Sequence, residues 1–399
     1  MYAVVGARIH TAGPKGILED AAIIVQYGKI VDVTPGRSVP VGCEVIDATG
    51  KEIVPGFIDA HSHAGMESEG LTVLDANEST DPVNPHLWAL DAFNPVEKGL
   101  ARCVAGGVTT IGLLPGSPMS FGGLVEQIGV VEGMGSAIKT VTKNGQPQIL
   151  RERAGLKMAL GEHPKRFFRE SKKAPATRMN IMAMIREVLE KGRNGQVEPK
   201  FRNVAGLLKR EFPARIHVHR VQDILAALRL QEEYKFDMVL EHVTEGYMVA
   251  DILKDRGVPC VVGPVPMTRR GSELQNLTLS NAVILAQRGV KVAITCDHPT
   301  FPAWYLPYHA GMLVREGMGY DQALKAITII PAEILGVSDR VGSLEPGKDA
   351  DFVVFQGDPL EITSRIEAVV SDGRVVAGKL DCMSAAAGGT ESWEGRRVC

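Results

Sequence analysis

Two histidine pairs of the form His-x-His place metal-capable side chains beside apolar runs. His61 and His63 follow the run VPGFIDA, and His217 and His219 follow ARI. On a β-strand, residues two apart point to the same face, so each pair presents its imidazoles together. Imidazole nitrogen is a common ligand of zinc and related ions, so both pairs are candidate metal ligands.

Three further candidate ligands end other apolar runs. Glu162 follows GLKMALG, His242 follows VLE, and Asp297 follows AITC. Each signal alone is compatible with an ordinary packed or surface residue, but their occurrence in order at successive strand ends favours one shared metal centre. Nitrogen and oxygen donors without thiolate suit zinc, with iron or manganese as alternatives. Either His217 or His219 could be the ligand from the second pair.

The elements that must position these side chains are short, nearly all-apolar strands alternating with helices. Alternation of this kind predicts a parallel sheet covered on both faces, and its extent fits an α/β fold with a (β/α)8 TIM-type barrel over residues 54–340. A doubly wound open sheet is the alternative. The barrel is favoured because it brings the carboxyl ends of all strands to one mouth. The candidate strands end at Ala60, Leu114, Gly161, Val218, Glu241, Gly263 and Thr295.

Both chain ends differ from this middle part. Residues 1–53 and 341–380 contain short β-type runs separated by turn signals such as Tyr27-Gly28 and Asp372-Gly373. Residues 381–399 are small and polar, and we expect them to form a flexible tail.

Composition limits the partners that this protein can have. The chain has 399 residues with a formal net charge of -3, 45% hydrophobic residues and six scattered cysteines. The absence of a basic field argues against nucleic acid, and no apolar run is long enough for a membrane span. Scattered cysteines and no recognisable secretion signal predict a cytoplasmic protein whose partner is a small-molecule substrate.

The sequence resembles the amidohydrolase superfamily and, within it, the imidazolonepropionase-related amidohydrolases. The resemblance covers nearly the whole chain and is carried by PGFIDAHSH, GLKMALGEHPKR, ARIHVHR, LEHVTEGY, AITCDHP and VGSLEPGKDADFVV. It implies a distorted (β/α)8 barrel with a composite β-sandwich built from residues 1–53 and 341–380. A homo-oligomer is also possible on this resemblance alone.

The resemblance also implies a ligand set. Glu162 takes the place that a bridging carboxylated lysine fills in many relatives, which leaves one or two metal ions open. Lys157 on the same strand is an alternative carboxylated ligand, although it lies well before the strand's end. His217 is favoured over His219 on the fifth strand. The implied metal ligands are His61, His63, Glu162, His217, His242 and Asp297.

These residues predict hydrolysis of a carbon–nitrogen bond in a cyclic or linear amide by metal-activated water. Asp297 is the expected base, and His242 or His219 could stabilise the developing oxyanion. The alternatives are a dipeptidase of the Xaa-Pro or Xaa-basic type, a deaminase on the same scaffold and, least favoured, a non-catalytic barrel.

Four residues beside the expected ligands are candidate substrate contacts. Arg220 follows the second histidine pair and could pair with a substrate carboxylate, although a structural ion pair is the commoner role for such a residue. His219, His86 in the long loop after the first strand, and His298 beside Asp297 are the others.

Overall fold

The computed structural model describes residues 1–68, 75–116, 120–121, 124–125, 129–165, 172–193, 198–269, 271–380 and 383–384. The expected flexible tail, 381–399, therefore lies almost entirely outside the described residues. The strands within them are β1 Tyr2–His10, β2 Ile17–Gln26, β3 Lys29–Pro35, β4 Glu44–Asp47, β5 Glu52–Pro55, β6 Phe57–Ser62, β7 Val108–Leu113, β8 Ser120–Phe121, β9 Leu124–Val125, β10 Val131–Lys143, β11 Gln146–Ala159, β12 Ala214–Val218, β13 Met238–His242, β14 Cys260–Val262, β15 Val292–Ile294, β16 Phe352–Gln356, β17 Arg365–Ser371, β18 Arg374–Leu380 and β19 Met383–Ser384.

The α-helices of the described residues lie mainly between the later strands. They are α1 Lys98–Ala105, α2 Arg178–Arg193, α3 Arg202–Leu208, α4 Val221–Tyr234, α5 Ala250–Asp255, α6 Ser280–Gln287, α7 Leu306–Arg315, α8 Tyr320–Lys325 and α9 Ile329–Leu335. Short 3-10 helices lie at Ala89–Ala92, Pro199–Phe201, Gly246–Val249 and Ala303–Tyr305. No helix in these ranges combines the length and apolar character needed to cross a membrane.

Eight strands form a nearly closed barrel in the order β15-β14-β13-β12-β11-β10-β7-β6. The pairs β6–β7 and β11–β12 through β14–β15 are parallel, as the alternating pattern predicts. The carboxyl ends of these parallel strands lie on one side, so the barrel mouth collects the residues that follow them.

The third barrel strand departs from the regular (β/α)8 expectation. β10 runs antiparallel to both β7 and β11, and the sequence pattern did not identify it. A two-residue turn, Asn144-Gly145, joins β10 to β11, with φ values of 52° and 69°. Both residues in the left-handed region are typical of the tight hairpin turns that Asn-Gly favours. The barrel therefore contains a β-hairpin.

Asp59 ties the first barrel strand to the last, across the gap between β6 and β15. Its carboxylate accepts hydrogen bonds from Thr295 Oγ1 at 2.6 Å and from the backbone N–H of Cys296 at 3.1 Å. The Thr295 hydroxyl also lies 2.8 Å from the His61 carbonyl. Because these contacts join the two strands that carry His61 and Asp297, they hold these two site residues together.

Strands from both chain ends share one nine-stranded sheet in the order β19-β18-β17-β16-β5-β1-β2-β3, with β4 beside β1. β16 pairs antiparallel with β5, which continues almost directly into β6. This sheet has its own buried cluster, which includes Val4, Ile23 and Phe352. The sheet therefore leads straight into the first barrel strand.

Candidate metal centre

The first barrel strand positions His61 and His63 at the mouth with fixed ring orientations. His61 Nδ1 lies 2.9 Å from Glu241 Oε2, and His63 Nδ1 lies 2.6 Å from the Leu114 carbonyl oxygen. A carbonyl oxygen can only accept, so His63 Nδ1 carries the proton. The Nε2 lone pair of His63 is then free to face the mouth, which is the usual arrangement of a metal-binding histidine.

Asp297 follows β15 and meets both imidazoles. Its Oδ1 lies 3.2 Å from His63 Nε2 and 3.5 Å from His61 Nε2. Burial alone would raise the pKa of this carboxyl, but the neighbouring imidazoles of His63, His242 and His61 lower it well below its usual range. The backbone of Asp297 is left-handed, with a φ of 56°, a conformation that proteins tend to retain at functional sites.

The contact between His63 Nε2 and Asp297 Oδ1 tests whether a metal ion fits here. Since Nδ1 carries the ring proton, Nε2 and Oδ1 bring lone pairs to a separation of 3.2 Å. Two ligands of one tetrahedral zinc ion, each about 2.1 Å from it, lie about 3.4 Å apart. The observed separations of 3.2 and 3.5 Å bracket that value. The donor set therefore fits a divalent ion.

His242 and His217 extend the cluster from β13 and β12. His242 Nδ1 donates to the Gly263 carbonyl at 2.8 Å, so its Nε2 lone pair is free and has no partner among the described residues. Both ring nitrogens of His217 are buried and likewise lack a partner within the described part of the chain. The His242 ring lies 4.8 Å from that of His61 and 4.5 Å from that of His217. Burial lowers the pKa of His242 to about 4, which keeps the ring neutral for ligation.

Lys157 on β11, the less favoured of the two candidate ligands from this strand, joins this group. It lies between Leu156 and Met158, which pack in the main apolar cluster, so the pleat turns Lys157 to the opposite face. Its Nζ lies 3.1 Å from His61 Nε2, and the residue is fully buried. Burial lowers the pKa of this amine to about 8, although Glu241 and Asp297 oppose the shift.

Glu162 does not join the histidines, contrary to its expected position. Its Oε1 accepts hydrogen bonds from Lys165 Nζ at 2.6 Å and Arg178 at 2.8 Å, and its side chain is 24% exposed. β11 ends at Ala159, so Glu162 lies beyond the strand. The alternation of side-chain directions that points Lys157 inward therefore does not extend to Glu162. On this placement Lys157 replaces Glu162 as the candidate ligand from this strand.

His219 lies beside the cluster, whereas Arg220 does not. The His219 ring stacks on His242 at 5.2 Å, and its Nδ1 lies 2.7 Å from Thr244 Oγ1. Arg220 donates to the Ser272 carbonyl at 2.7 Å and lies 3.4 Å from Glu245. These contacts place Arg220 in a structural ion pair.

The two remaining candidate substrate contacts lie in different surroundings. His86 is exposed, and the structure does not bring it to the cluster. His298 is fully buried, and its Nδ1 accepts the backbone N–H of Ala303 at 3.4 Å. Burial lowers the pKa of His298 to about 4, so it is a neutral packed ring behind Asp297.

Glu241 and Arg215 are buried charges that support the cluster and that sequence reasoning missed. Arg215 Nε donates to Glu241 Oε1, while the other carboxylate oxygen accepts from His61. Arg215 also donates to the Ala60 carbonyl at 2.8 Å. The sequence does contain a signal for this pair, a charged residue inside each of two apolar strands. A charge buried in this way needs a partner.

Replacing Glu241 with Gln is expected to lower the free energy of unfolding by about 3 kcal/mol, because Arg215 would lose its buried partner. Chemical denaturation of the purified protein measures this change. Glu211→Gln is the matched control, since it removes an ion pair with Arg153 whose side chains are 42% and 34% exposed. That pair should contribute less than about 1 kcal/mol. Equal losses in the two variants would contradict the supporting role of Glu241.

Comparison with known proteins gives a consistent result. Residues 204–377 match the amidohydrolase family. The amidohydrolase tasK of Hapsidospora irregularis is 26% identical over 387 residues, and the alignment spans 88% of this chain but 39% of tasK. An imidazolonepropionase of Thermoplasma acidophilum is 25% identical over 368 residues, spanning 85% of this chain and 83% of that protein.

A solved structure matches this chain in both sequence and fold. An amidohydrolase from Thermotoga maritima superposes with a TM-score of 0.88 at 37% sequence identity. The match covers 95% of this chain and 100% of the other.

Proposed function

Since the chain belongs to the amidohydrolase superfamily and is related to the imidazolonepropionases, we propose that a divalent metal centre at the barrel mouth is its catalytic site. Its family makes it a hydrolase that acts on carbon–nitrogen bonds, which sets aside the non-catalytic barrel. The proposal has three parts. A metal ion is bound at the mouth, the residues described above bind it, and the enzyme hydrolyses a small-molecule amide.

The observation that carries this proposal is the convergence of buried metal-capable side chains. His63 Nε2 and Asp297 Oδ1 approach to 3.2 Å, and His242 Nε2 and both nitrogens of His217 are buried without a partner among the described residues. Leaving several such groups unpaired in a protein interior is costly, and a divalent cation would pair with His63 Nε2, Asp297 Oδ1, His242 Nε2 and the one lone-pair nitrogen of His217. Zinc suits this set of nitrogen and oxygen donors, with iron or manganese as alternatives.

The proposed centre holds two ions. His61, His63 and Asp297 would hold the first ion, and His217 and His242 would hold the second. Lys157 lies beside His61 and has a lowered pKa, so a fraction of its amine is uncharged near neutral pH. Reaction of that amine with carbon dioxide forms an N–C bond and releases one proton to solvent. The resulting carbamate would supply the bridging oxygens expected from this strand.

The protein's own side chains carry out the proton transfers of the reaction. A bound divalent ion would lower the pKa of water from about 15.7 to about 7 and polarise the amide carbonyl. Asp297 takes the proton of the attacking water at its carboxylate and passes it to the leaving nitrogen as the carbon–nitrogen bond breaks. The products are a carboxylic acid and an amine, which remain one molecule when the substrate is cyclic.

His219 is the better placed of the two residues expected to stabilise the oxyanion. His242 directs a lone pair into the centre, which suits ligation and not donation. If the Thr244 hydroxyl donates to His219 Nδ1, the proton of the neutral His219 ring lies on Nε2. Burial lowers the pKa of His219 to about 3, so the ring stays neutral. His219 Nε2–H can then donate to the substrate carbonyl oxygen.

Removing the metal is expected to abolish turnover, and adding it back should restore activity. The measurement combines elemental analysis with a turnover screen over hydantoins, lactams, N-acyl amino acids and dipeptides, before and after chelation. Circular dichroism before and after chelation checks that the fold persists, so lost activity can be assigned to lost metal. A folded protein that keeps full turnover with less than about 0.05 ions per chain would overturn the proposal.

A further inference from the structure

Glu132 is a buried carboxylate close to the proposed metal centre and outside the proposed ligand set. It is 1% exposed, and neither carboxylate oxygen has a hydrogen-bond partner among the residues that the structure describes. Leaving a buried charged group unsatisfied costs more than leaving a neutral one unsatisfied. A buried carboxyl group without hydrogen-bond partners is expected either to bind a ligand or to hold a proton.

The barrel strand aims Glu132 at the mouth through a β-bulge. Val131 pairs with Met158 and Gly133 pairs with Lys157, so Glu132 is an extra residue without a counterpart on β11. β10 runs antiparallel to β11, so its first residues lie beside the carboxyl end of β11 at the mouth. Bulges often re-aim a side chain next to an active site.

Two glycines leave space for the Glu132 side chain. A Cβ atom at Gly116, which follows β7, would lie 2.9 Å from Glu132 Cγ. A Cβ atom at Gly129 would lie 2.9 Å from Glu132 Oε1. A larger residue at either position would have to displace the Glu132 side chain, and at Gly129 it would also meet the Pro82 carbonyl oxygen at 2.9 Å.

The charge surroundings of Glu132 change once the centre is assembled. Lys157 is near enough that each residue shifts the pKa of the other, yet the described residues place no ion pair between them. Burial raises the pKa of Glu132 to about 8, with Lys157 opposing and Glu78 adding to the shift. Carboxylation of Lys157 would replace that cation with an anion.

We propose that Glu132 binds a cationic group of the substrate, an ammonium or a guanidinium, and so makes the enzyme specific for positively charged amides. This inference rests on the proposed function, since it places the substrate at the same centre. A substrate cation supplies the hydrogen-bond donors that the carboxylate lacks among the described residues.

Four small probes separate the possible cations: arginine, citrulline, N-acetylarginine and N-acetylcitrulline. Citrulline replaces the guanidinium with a neutral group of the same shape, and acetylation removes the charge of the α-ammonium. Isothermal titration of the metal-loaded, full-length protein measures their affinities. We expect removal of the recognised charge to weaken binding by about 30-fold, whereas removal of the other charge changes it by less than about threefold.

Glu132→Gln is expected to abolish this preference without affecting the probes that lack the recognised cation. Glu132→Asp should retain part of it, and Glu152→Gln, an exposed acid on β11, should behave as wild type. Wild-type affinities that agree within about threefold for all four probes would overturn the inference, whether or not the variants fold. An equal loss of affinity in Glu132→Gln for probes with and without the recognised cation would also overturn it, because it would indicate a structural role.

Failure of this inference can be separated from failure of the proposed function. If chelation abolishes turnover of a neutral amide while the four probes bind equally, only the role of Glu132 is wrong. If the folded, metal-free protein keeps full turnover, the metal centre itself is wrong.

Discussion

Replacing Asp297 with Asn is expected to lower kcat by about 1,000-fold on any amide that the wild-type enzyme hydrolyses, because the carboxamide cannot accept the proton of water. Asn has the same size as Asp and tolerates the left-handed backbone of this position, where φ is 56°. The substitution therefore removes the base while leaving the local conformation intact.

The loss of kcat in Asp297→Asn should be expressed per bound metal ion, since Asp297 is also a proposed metal ligand. Elemental analysis gives the ion content of each variant, and steady-state kinetics gives kcat. Asp237→Asn is the control, because Asp237 is a half-exposed carboxylate paired with Arg210 before β13. Unchanged turnover per ion in Asp297→Asn would show that another group transfers the proton.

Replacing Lys157 with Ala is expected to halve the bound metal and to lower kcat by at least about 100-fold, because the bridging carbamate would be lost. A short carboxylic acid such as propionate should restore part of the activity by occupying the space of the missing side chain. Elemental analysis and kinetics with and without propionate measure both effects. Lys157→Met, which nearly preserves the volume, checks that the loss is not caused by a cavity.

Glu162→Gln provides the contrasting variant. Its carboxylate contacts Lys165 and Arg178 and is partly exposed, so its metal content and kcat should stay within about twofold of wild type. The reverse pattern, in which Glu162→Gln loses metal and Lys157→Ala keeps it, would restore Glu162 as the ligand of this strand.

Much of the barrel could be predicted from one sequence, because buried parallel strands are uniformly apolar and helices show their own periodicity. Helix α4, Val221–Tyr234, lies between β12 and β13, where the alternation of apolar strands and helices predicts a helix. β10 was missed because residues 131–143 lack the apolar–polar alternation of a half-buried strand. This stretch also contains Gly133 and Gly135. The Asn144-Gly145 dipeptide was the available signal, since it is a strong local marker of a hairpin.

The sequence by itself determined which donors this protein has and the order in which they occur. His61, His63, His217, His242 and Asp297 all follow or end apolar strands, and parallel strands must deliver their carboxyl ends to one side. Which donors actually meet was decided only by the tertiary structure. Lys157 points inward and Glu162 outward because side-chain direction depends on strand register and on where the pleat ends, and neighbouring strands set both. The same pairing creates the bulge that turns Glu132 towards the mouth.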